Sequence, residues 1–250
     1  MRLLLINANT TPAITELMVN RARGLVSAGT TVTGVTARLG ARYIATRPAY
    51  SIAGHAALDA YAEHGASADA IILACFGDPG LMALRELSAV PVVGMAEASC
   101  QAAAGDGRRF AIVTGGAGWV PMLREFVAAI GLADRLVSVR AVAPSGAEIA
   151  ADPQRSYQIL ARECTAAAKD DGAEVVILGG AGLVGIADAI ARDVPVPLID
   201  CLTAAIRAAE ATAGDGGHAS QRAQPHIPSV ESIGLGAGLS ALLSGKRPAG

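Results

Sequence analysis

Residues 70–103 read AIILACFGDPGLMALRELSAVPVVGMAEASCQAA, and residues 175–209 read VVILGGAGLVGIADAIARDVPVPLIDCLTAAIRAA. Both spell the same phrase: an apolar run of strand length, a glycine-rich turn, a helical pattern, a second short apolar run and a second helical pattern. A run that is apolar at every position, not at alternate ones, marks a strand buried on both faces, as in a parallel sheet covered by helices. The two copies differ at one informative place. Where the first has Cys75, the second has Gly180, an offset of 105 residues from position 75 to position 180. A third match aligns Arg2-Leu3-Leu4-Leu5-Ile6-Asn7 with Arg109-Phe110-Ala111-Ile112-Val113-Thr114, 107 residues on from position 2 to position 109. The chain therefore reads as two similar lobes of about a hundred residues each.

Outward from these copies the alternation continues. A strand over 2–6 leads through Asn-Ala-Asn-Thr-Thr to a helix at Pro12, with Thr11 at the capping position and proline at the first helical position. A strand over 30–37, a helix over 51–65 and a strand over 69–75 follow. Asp78-Pro79 repeats the cap-and-proline pattern, so a helix is expected directly after Cys75. Further strands are expected at 91–94, 109–114, 136–142, 174–179 and 196–199. Strands alternating with helices give an α/β fold of two pseudosymmetric lobes, each with a mostly parallel sheet flanked by helices. We expect residues 1–98 plus 208–250 to form the first lobe and 99–207 the second. Residues 214–228, rich in glycine, proline and polar residues, read as loop. The apolar stretch 233–243 is expected to pack back on the first lobe, and 245–250 to fray.

Composition narrows the function. Charged residues are 17% of the chain, the net charge is −2 and the pI is near 6.1, so nothing marks a surface for nucleic acid. The apolar runs are far shorter than the about 20 residues that span a bilayer, and the N-terminus lacks the pattern of a signal peptide. The expectations are no membrane segment and a cytoplasmic location. Cys75, Cys100, Cys164 and Cys201 show no CxxC spacing, which argues for reduced thiols over a zinc site or disulfides. His55 and His64 fall in a helical pattern and His218 and His226 in a polar tail, without metal-ligand spacing, so no metal is expected. Neither glycine turn fits a phosphate-binding loop or a dinucleotide fingerprint, and the strand ends offer no lysine for pyridoxal phosphate; no cofactor is expected.

In parallel α/β sheets ligands bind beyond the carboxyl ends of the strands, where loops enter helices. Cys75 lies at such an end. A thiol facing a helix N-terminus has its pKa of about 8.5 lowered toward the reactive thiolate. Free cysteine is also among the most buried residue types, so packing is the competing reading.

Four phrases bear on that choice: Leu5-Ile6-Asn7-Ala8-Asn9-Thr10-Thr11, Ala74-Cys75-Phe76-Gly77-Asp78-Pro79-Gly80-Leu81, Gly94-Met95-Ala96-Glu97-Ala98 and Leu198-Ile199-Asp200. In order and spacing they resemble the hydantoin and allantoin racemases of the aspartate/glutamate racemase superfamily, over roughly residues 1–210. The resemblance implies a cofactor-independent racemase with its site in the cleft between lobes, a small-molecule substrate such as a hydantoin, allantoin or related amino-acid derivative, and a homo-oligomer. It also implies two cysteines on opposite sides of a substrate carbon, one taking a proton while the other returns one. Cys75 matches the first. The family's Gly-Cys-Ala-Gly phrase reads here Gly179-Gly180-Ala181-Gly182, with no thiol.

Loss of one acid or base typically costs about 10²–10⁴-fold, so ordinary two-base racemisation should be impaired. Three explanations stand. A water at Gly180, or Cys201 at the start of the next helix, substitutes for the missing acid. The chain performs one-sided chemistry, as a one-thiol decarboxylase or cysteine-dependent isomerase of the same superfamily. Or it keeps a ligand site without catalysis, including the case of a glycine introduced to trap a ligand. Lobe geometry and the resemblance together add Asn7, Asn9 and Thr10 after the first strand, with Thr114 and Gly115 at the equivalent place, as substrate contacts. Phe76, with the backbone amides around Gly77, Asp78, Ala181 and Gly182, is expected to line a pocket for a developing enolate. Glu97 is a candidate partner behind the site. Cys100 and Cys164 are assigned to packing or surface.

Overall fold

The structure is a computed structural model that describes residues 1–143, 145–214 and 228–245. The first half builds β1 (Arg2–Asn7), α1 (Pro12–Arg23), β2 (Thr31–Thr36), α2 (Arg47–His64), β3 (Ala70–Leu73), α3 (Leu81–Leu87), β4 (Val92–Gly94) and α4 (Met95–Ala104). The second builds β5 (Phe110–Gly115), α5 (Trp119–Ala129), β6 (Leu136–Val142), α6 (Gly146–Ala151), α7 (Pro153–Lys169), β7 (Val175–Gly179), α8 (Ile186–Ile190), β8 (Leu198–Asp200) and α9 (Cys201–Gly214). A short α10 (Ala237–Leu243) closes the described chain.

Two four-stranded sheets result, ordered β2-β1-β3-β4 and β6-β5-β7-β8, and every pairing is parallel. Their registers superimpose on the sequence repeat. Leu3 pairs with Ala70 in one sheet, and Phe110 pairs with Val175 in the other, so the sequence matches from 3 to 110 and from 70 to 175 are also spatial matches. The central strands are buried throughout, which is why they carry no polar alternation: Leu3–Ile6, Ala70–Leu73 and Val175–Gly179 are all buried.

The lobes share a core. One apolar cluster runs from Leu3, Ile72 and Met95 across to Phe110, Ile177 and Leu202, while a smaller one fills the far face of the second sheet. Helices α4 and α9, each following the last strand of its own sheet, pack against one another; α4 lies on β7 and α9 lies on β3 and β4. Each therefore helps cover the opposite lobe's sheet. Among the described residues no helix is long and apolar enough to cross a membrane.

Several local readings need correction. Strand β3 ends at Leu73, so Cys75 stands in the turn and not in the strand. The helix after it begins at Leu81, behind Gly80 in a left-handed conformation, and Asp78 does not cap it. Thr11 occupies the cap position of α1, but its hydroxyl donates to the Arg42 carbonyl (2.8 Å). Helix α2 starts four residues earlier than expected, at Arg47, because Thr46 accepts the Ala49 N–H and Pro48 sits in the first turn. Leu239 buries α10 against α2, but Ile233 at 97% exposure takes no part in that packing. His218, His226 and residues 246–250 lie outside the described residues, as does 215–227, nearly all of the expected loop.

Candidate active site

The carboxyl ends of β1, β3, β5 and β7 converge on a cavity of about 50 Å³ between the lobes. The first lobe contributes Asn9, Ile14, Arg42, Tyr43, Ile44, Cys75 and Phe76; the second contributes Thr114, Gly115, Trp119 and residues 179–183. Cys75 lines this space at 6% exposure, and its thiol has no hydrogen-bond partner among the described residues. Burial, and after it the Asp78 carboxylate, push its thiol well above the ordinary range. That reverses the lowering expected of a thiol at a helix N-terminus. Burial is the larger cause, and the second is the carboxylate of Asp78, which is bonded to the first turn of α4.

Asp78 has a φ of +52° and projects back from the thiol's turn. Its carboxylate accepts the N–H groups of Ala96 (2.9 Å) and Glu97 (2.8 Å), and its own N–H donates to the Cys75 carbonyl (2.9 Å). The space it fills lies over Gly94, where any Cβ would overlap the carboxylate. Two aromatics clamp the next peptide. Tyr50 donates from α2 to the Gly77 carbonyl (2.7 Å), and the Trp119 ring lies where a Gly77 side chain would project, only 2.7 Å from an added Cβ. Their rings meet edge to face, with centroids 6.3 Å apart.

In the second lobe, Gly179 lies under the Phe76 ring, which crosses from the first lobe and leaves no room for a side chain there. Gly180 is different. A Cβ on it would meet only Leu183, at 2.9 Å from the end of a flexible side chain. Cys201 is fully buried, lines no part of the cavity, and donates its thiol to the Gly180 carbonyl (3.6 Å). Asp200 beside it accepts the N–H groups of Gly185 (2.6 Å) and Thr203 (2.9 Å).

Two inward-facing loops at matched places in duplicated halves, one with a thiol and one with glycine, frame this cavity from opposite sides. A sequence profile described as Asp/Glu/Hydantoin racemase matches residues 3–209. The chain belongs to that family. A hydantoin racemase from Paenarthrobacter aurescens is 33% identical over 216 residues, covering 84% of this chain and 90% of the relative. One from Rhizobium meliloti is 38% identical over 148 residues; that match spans 59% of this chain and 61% of the relative's length. The crystal structure of an allantoin racemase from Pseudomonas fluorescens superimposes with a TM-score of 0.86 at 32% identity, covering 93% of this chain and 99% of that one. The protein is accordingly a racemase in class, an isomerase.

Of the residues expected to form this racemase site, Cys75, Phe76, Asn9, Thr114, Gly115, Gly180, Ala181 and Gly182 line the cavity. Asn7, Thr10, Gly77, Asp78 and Cys201 do not. Asn7 is fully buried and organises the loop: its Nδ2 donates to Asn9 Oδ1 (3.1 Å) and Thr15 Oγ1 (3.0 Å), and its Oδ1 accepts the Asn9 N–H. Those bonds use Asn9 Oδ1 and leave Asn9 Nδ2 without a partner among the described residues. Thr10 donates its N–H to the Ala41 carbonyl (3.1 Å), away from the site. Glu97 is held by Arg85, which grips its carboxylate with two nitrogens. Cys100 and Cys164 are fully buried in helices and pack. Sequence reasoning missed Arg42, Tyr43, Ile44 and Trp119. The chain's only tryptophan, in a sequence with 3% aromatic residues, was the available signal.

Proposed function

We propose that this racemase acts on hydantoins or related cyclic ureides, moving the proton on the carbon next to the carbonyl through Cys75. The single observation carrying this reading is the Cys75 thiol, without a hydrogen-bond partner among the described residues, facing the interlobe cavity with Gly180 at the matched place in the other lobe. In its thiolate form Cys75 takes the proton, and the C–H electron pair moves into the carbonyl to give an enolate. Asn9, Thr114, Ala181 and Gly182 line the same cavity, and on this reading Asn9 Nδ2, Thr114 Oγ1 and the backbone of that turn donate to that oxygen. Return of the proton from Cys75 regenerates the starting enantiomer. Inversion needs a proton from the Gly180 side, where no side chain supplies one. The apolar side chains of Ile14, Ile44, Phe76 and Leu183 suit a ring bearing an apolar substituent.

Deuterium exchange tests this. In heavy water the enzyme should exchange the α-hydrogen of one hydantoin enantiomer with retention, faster than it racemises either. Cys75→Ser should abolish the exchange; exchange that survives in the folded variant would refute the assignment. A second reading, decarboxylation of a malonate-type acid with protonation by Cys75, is favoured by the same uncharged wall at Gly180. Release of carbon dioxide, with one product enantiomer, would select it.

A further inference from the structure

Each lobe holds one buried carboxylate at the start of the helix that follows its last strand, but the two come from opposite sides of the same gap. In the second lobe it belongs to the strand. Asp200 ends β8 and reaches forward to Thr203 in α9 and across to Gly185 in the loop after β7. The matched position in the first lobe is Gly94, because Leu73 pairs with Gly94 as Leu178 pairs with Asp200. There the carboxylate comes instead from the loop, as Asp78, and fills the room that the glycine leaves. The tie between loop and helix is kept in both lobes. Only in the first does it place a charge three positions along the chain from the thiol.

We propose that Asp78 is a positioning residue for Cys75: it pins the thiol's turn to the start of α4 and keeps negative charge behind the sulfur, so that the empty site holds thiol and not thiolate. The N-terminus of α4, with its free N–H groups and positive dipole end, would otherwise favour a thiolate. Asp78 consumes it. Burial drives Asp78 itself toward protonation, to about 7, against the two backbone bonds that favour its charge. The groups that interact with it electrostatically are Tyr50 from α2, Cys75, Arg85 from α3, and Glu97 and Cys100 from α4. Arg85 is the one cation among them, and it is bound to Glu97. Above neutral pH, then, the sulfur faces a buried carboxylate that the two backbone bonds and Arg85 only partly offset.

The inference rests on the proton-transfer reading of Cys75 for its meaning in turnover, whereas its test reads the sulfur directly. Alkylation of Cys75 by iodoacetamide, followed by peptide mass spectrometry between about pH 7 and 10, reports the thiolate. Asp78→Asn is isosteric and asparagine tolerates positive φ, so the fold should survive. Loss of the charge should raise the thiolate fraction, making alkylation at a fixed pH near 8 about tenfold faster. Asp78→Ser, a neutral residue that still caps helices, should behave alike and serves if the asparagine variant does not fold. Asp78→Glu disturbs the packing over Gly94 but keeps the charge, and should not speed alkylation. A neutral variant alkylated at the wild-type rate, or no faster than Asp78→Glu, would overturn the proposal. Faster alkylation alongside substrate exchange that survives Cys75→Ser would instead strike the proposed function and leave this inference standing.

Discussion

Gly180→Cys restores a thiol on the wall opposite Cys75, and the structure sets both its cost and its gain. An added Cβ would lie 2.9 Å from Leu183 Cδ1 and 4.0 Å from Leu183 Cγ, with nothing else within 4 Å. Leu183, buried in the second lobe's core, must shift to admit it. The φ of +157° at Gly180 lies just inside the range that side chains avoid, which adds about 1–3 kcal/mol of backbone strain. The variant should therefore fold with reduced stability. In return, an acid on the second face is worth about 10²–10⁴-fold in inversion, while exchange with retention at Cys75 should change little. Optical rotation gives the inversion rate, and mass spectrometry of deuterium uptake gives exchange, on the same hydantoin. Gly180→Cys/Leu183→Ala makes the room explicitly and controls for a blocked cavity. If both variants fold and neither gains as much as about tenfold in inversion, the two-sided reasoning fails.

Cys201→Ser should leave exchange and racemisation by the folded protein unchanged, because Cys201 donates to the Gly180 carbonyl outside the cavity; loss of inversion alone would make Cys201 the opposite acid. Binding of a hydantoin should quench the fluorescence of Trp119, the only tryptophan, and Trp119→Phe should remove that signal while calorimetry still detects binding. A ligand that binds without touching the emission would place the site elsewhere. Stability should carry the signature of Asp78. Its folded value of about 7 exceeds the ordinary 3.8, so its contribution is full below about pH 4 and is lost as pH rises through about 7. That gap of about three units limits the effect to about 4 kcal/mol. Denaturant unfolding of wild type, compared with Asp78→Asn, should show the difference narrowing over that interval; a constant difference would refute a buried, reluctantly charged carboxylate.

The fold was legible because duplication left two uniformly apolar strand phrases whose spacing equals their spacing in space. Offsets read from 3 to 110 and from 70 to 175 return as the pairings of β1 with β3 and of β5 with β7. The place of Cys75 at the carboxyl end of a central strand was legible for the same reason, as was the cavity lining from Phe76, Ala181 and Gly182. What escaped was long-range. Arg42, Tyr43 and Ile44 reach the cavity from a loop with no repeat partner, and Tyr43 is anchored by donating to the Gly115 carbonyl (2.6 Å) of the other lobe. Asp78 followed by proline looked like a local helix cap, yet its acceptors' partners lie 18 and 19 residues on. Lobe geometry and the family resemblance make Asn7 an expected ligand contact, which the structure does not bear out. A polar residue at a strand end serves either the ligand or the loop, and only the bonds to Asn9 and Thr15 decide which.

Three glycines around the site have different causes, and the difference bears on the missing thiol. Gly94 has no side chain because the Asp78 carboxylate occupies that space, and Gly179 has none because the Phe76 ring does. Substituting either displaces a group that holds the site together. Gly180 meets only the end of Leu183. A small side chain at Gly180 therefore needs a shift of Leu183 and the backbone cost given above, less than the loss of Asp78 or Phe76 that substitution at Gly94 or Gly179 would bring. On the proposed reading, the first lobe holds what a lone proton carrier needs: a sulfur without a hydrogen-bond partner among the described residues, a turn pinned through Asp78, and the Tyr50–Trp119 clamp over Gly77. The second lobe offers glycine at the matched place. That reading predicts proton movement on one face, so stereospecific exchange, in preference to inversion, is the measurement that tests it most directly.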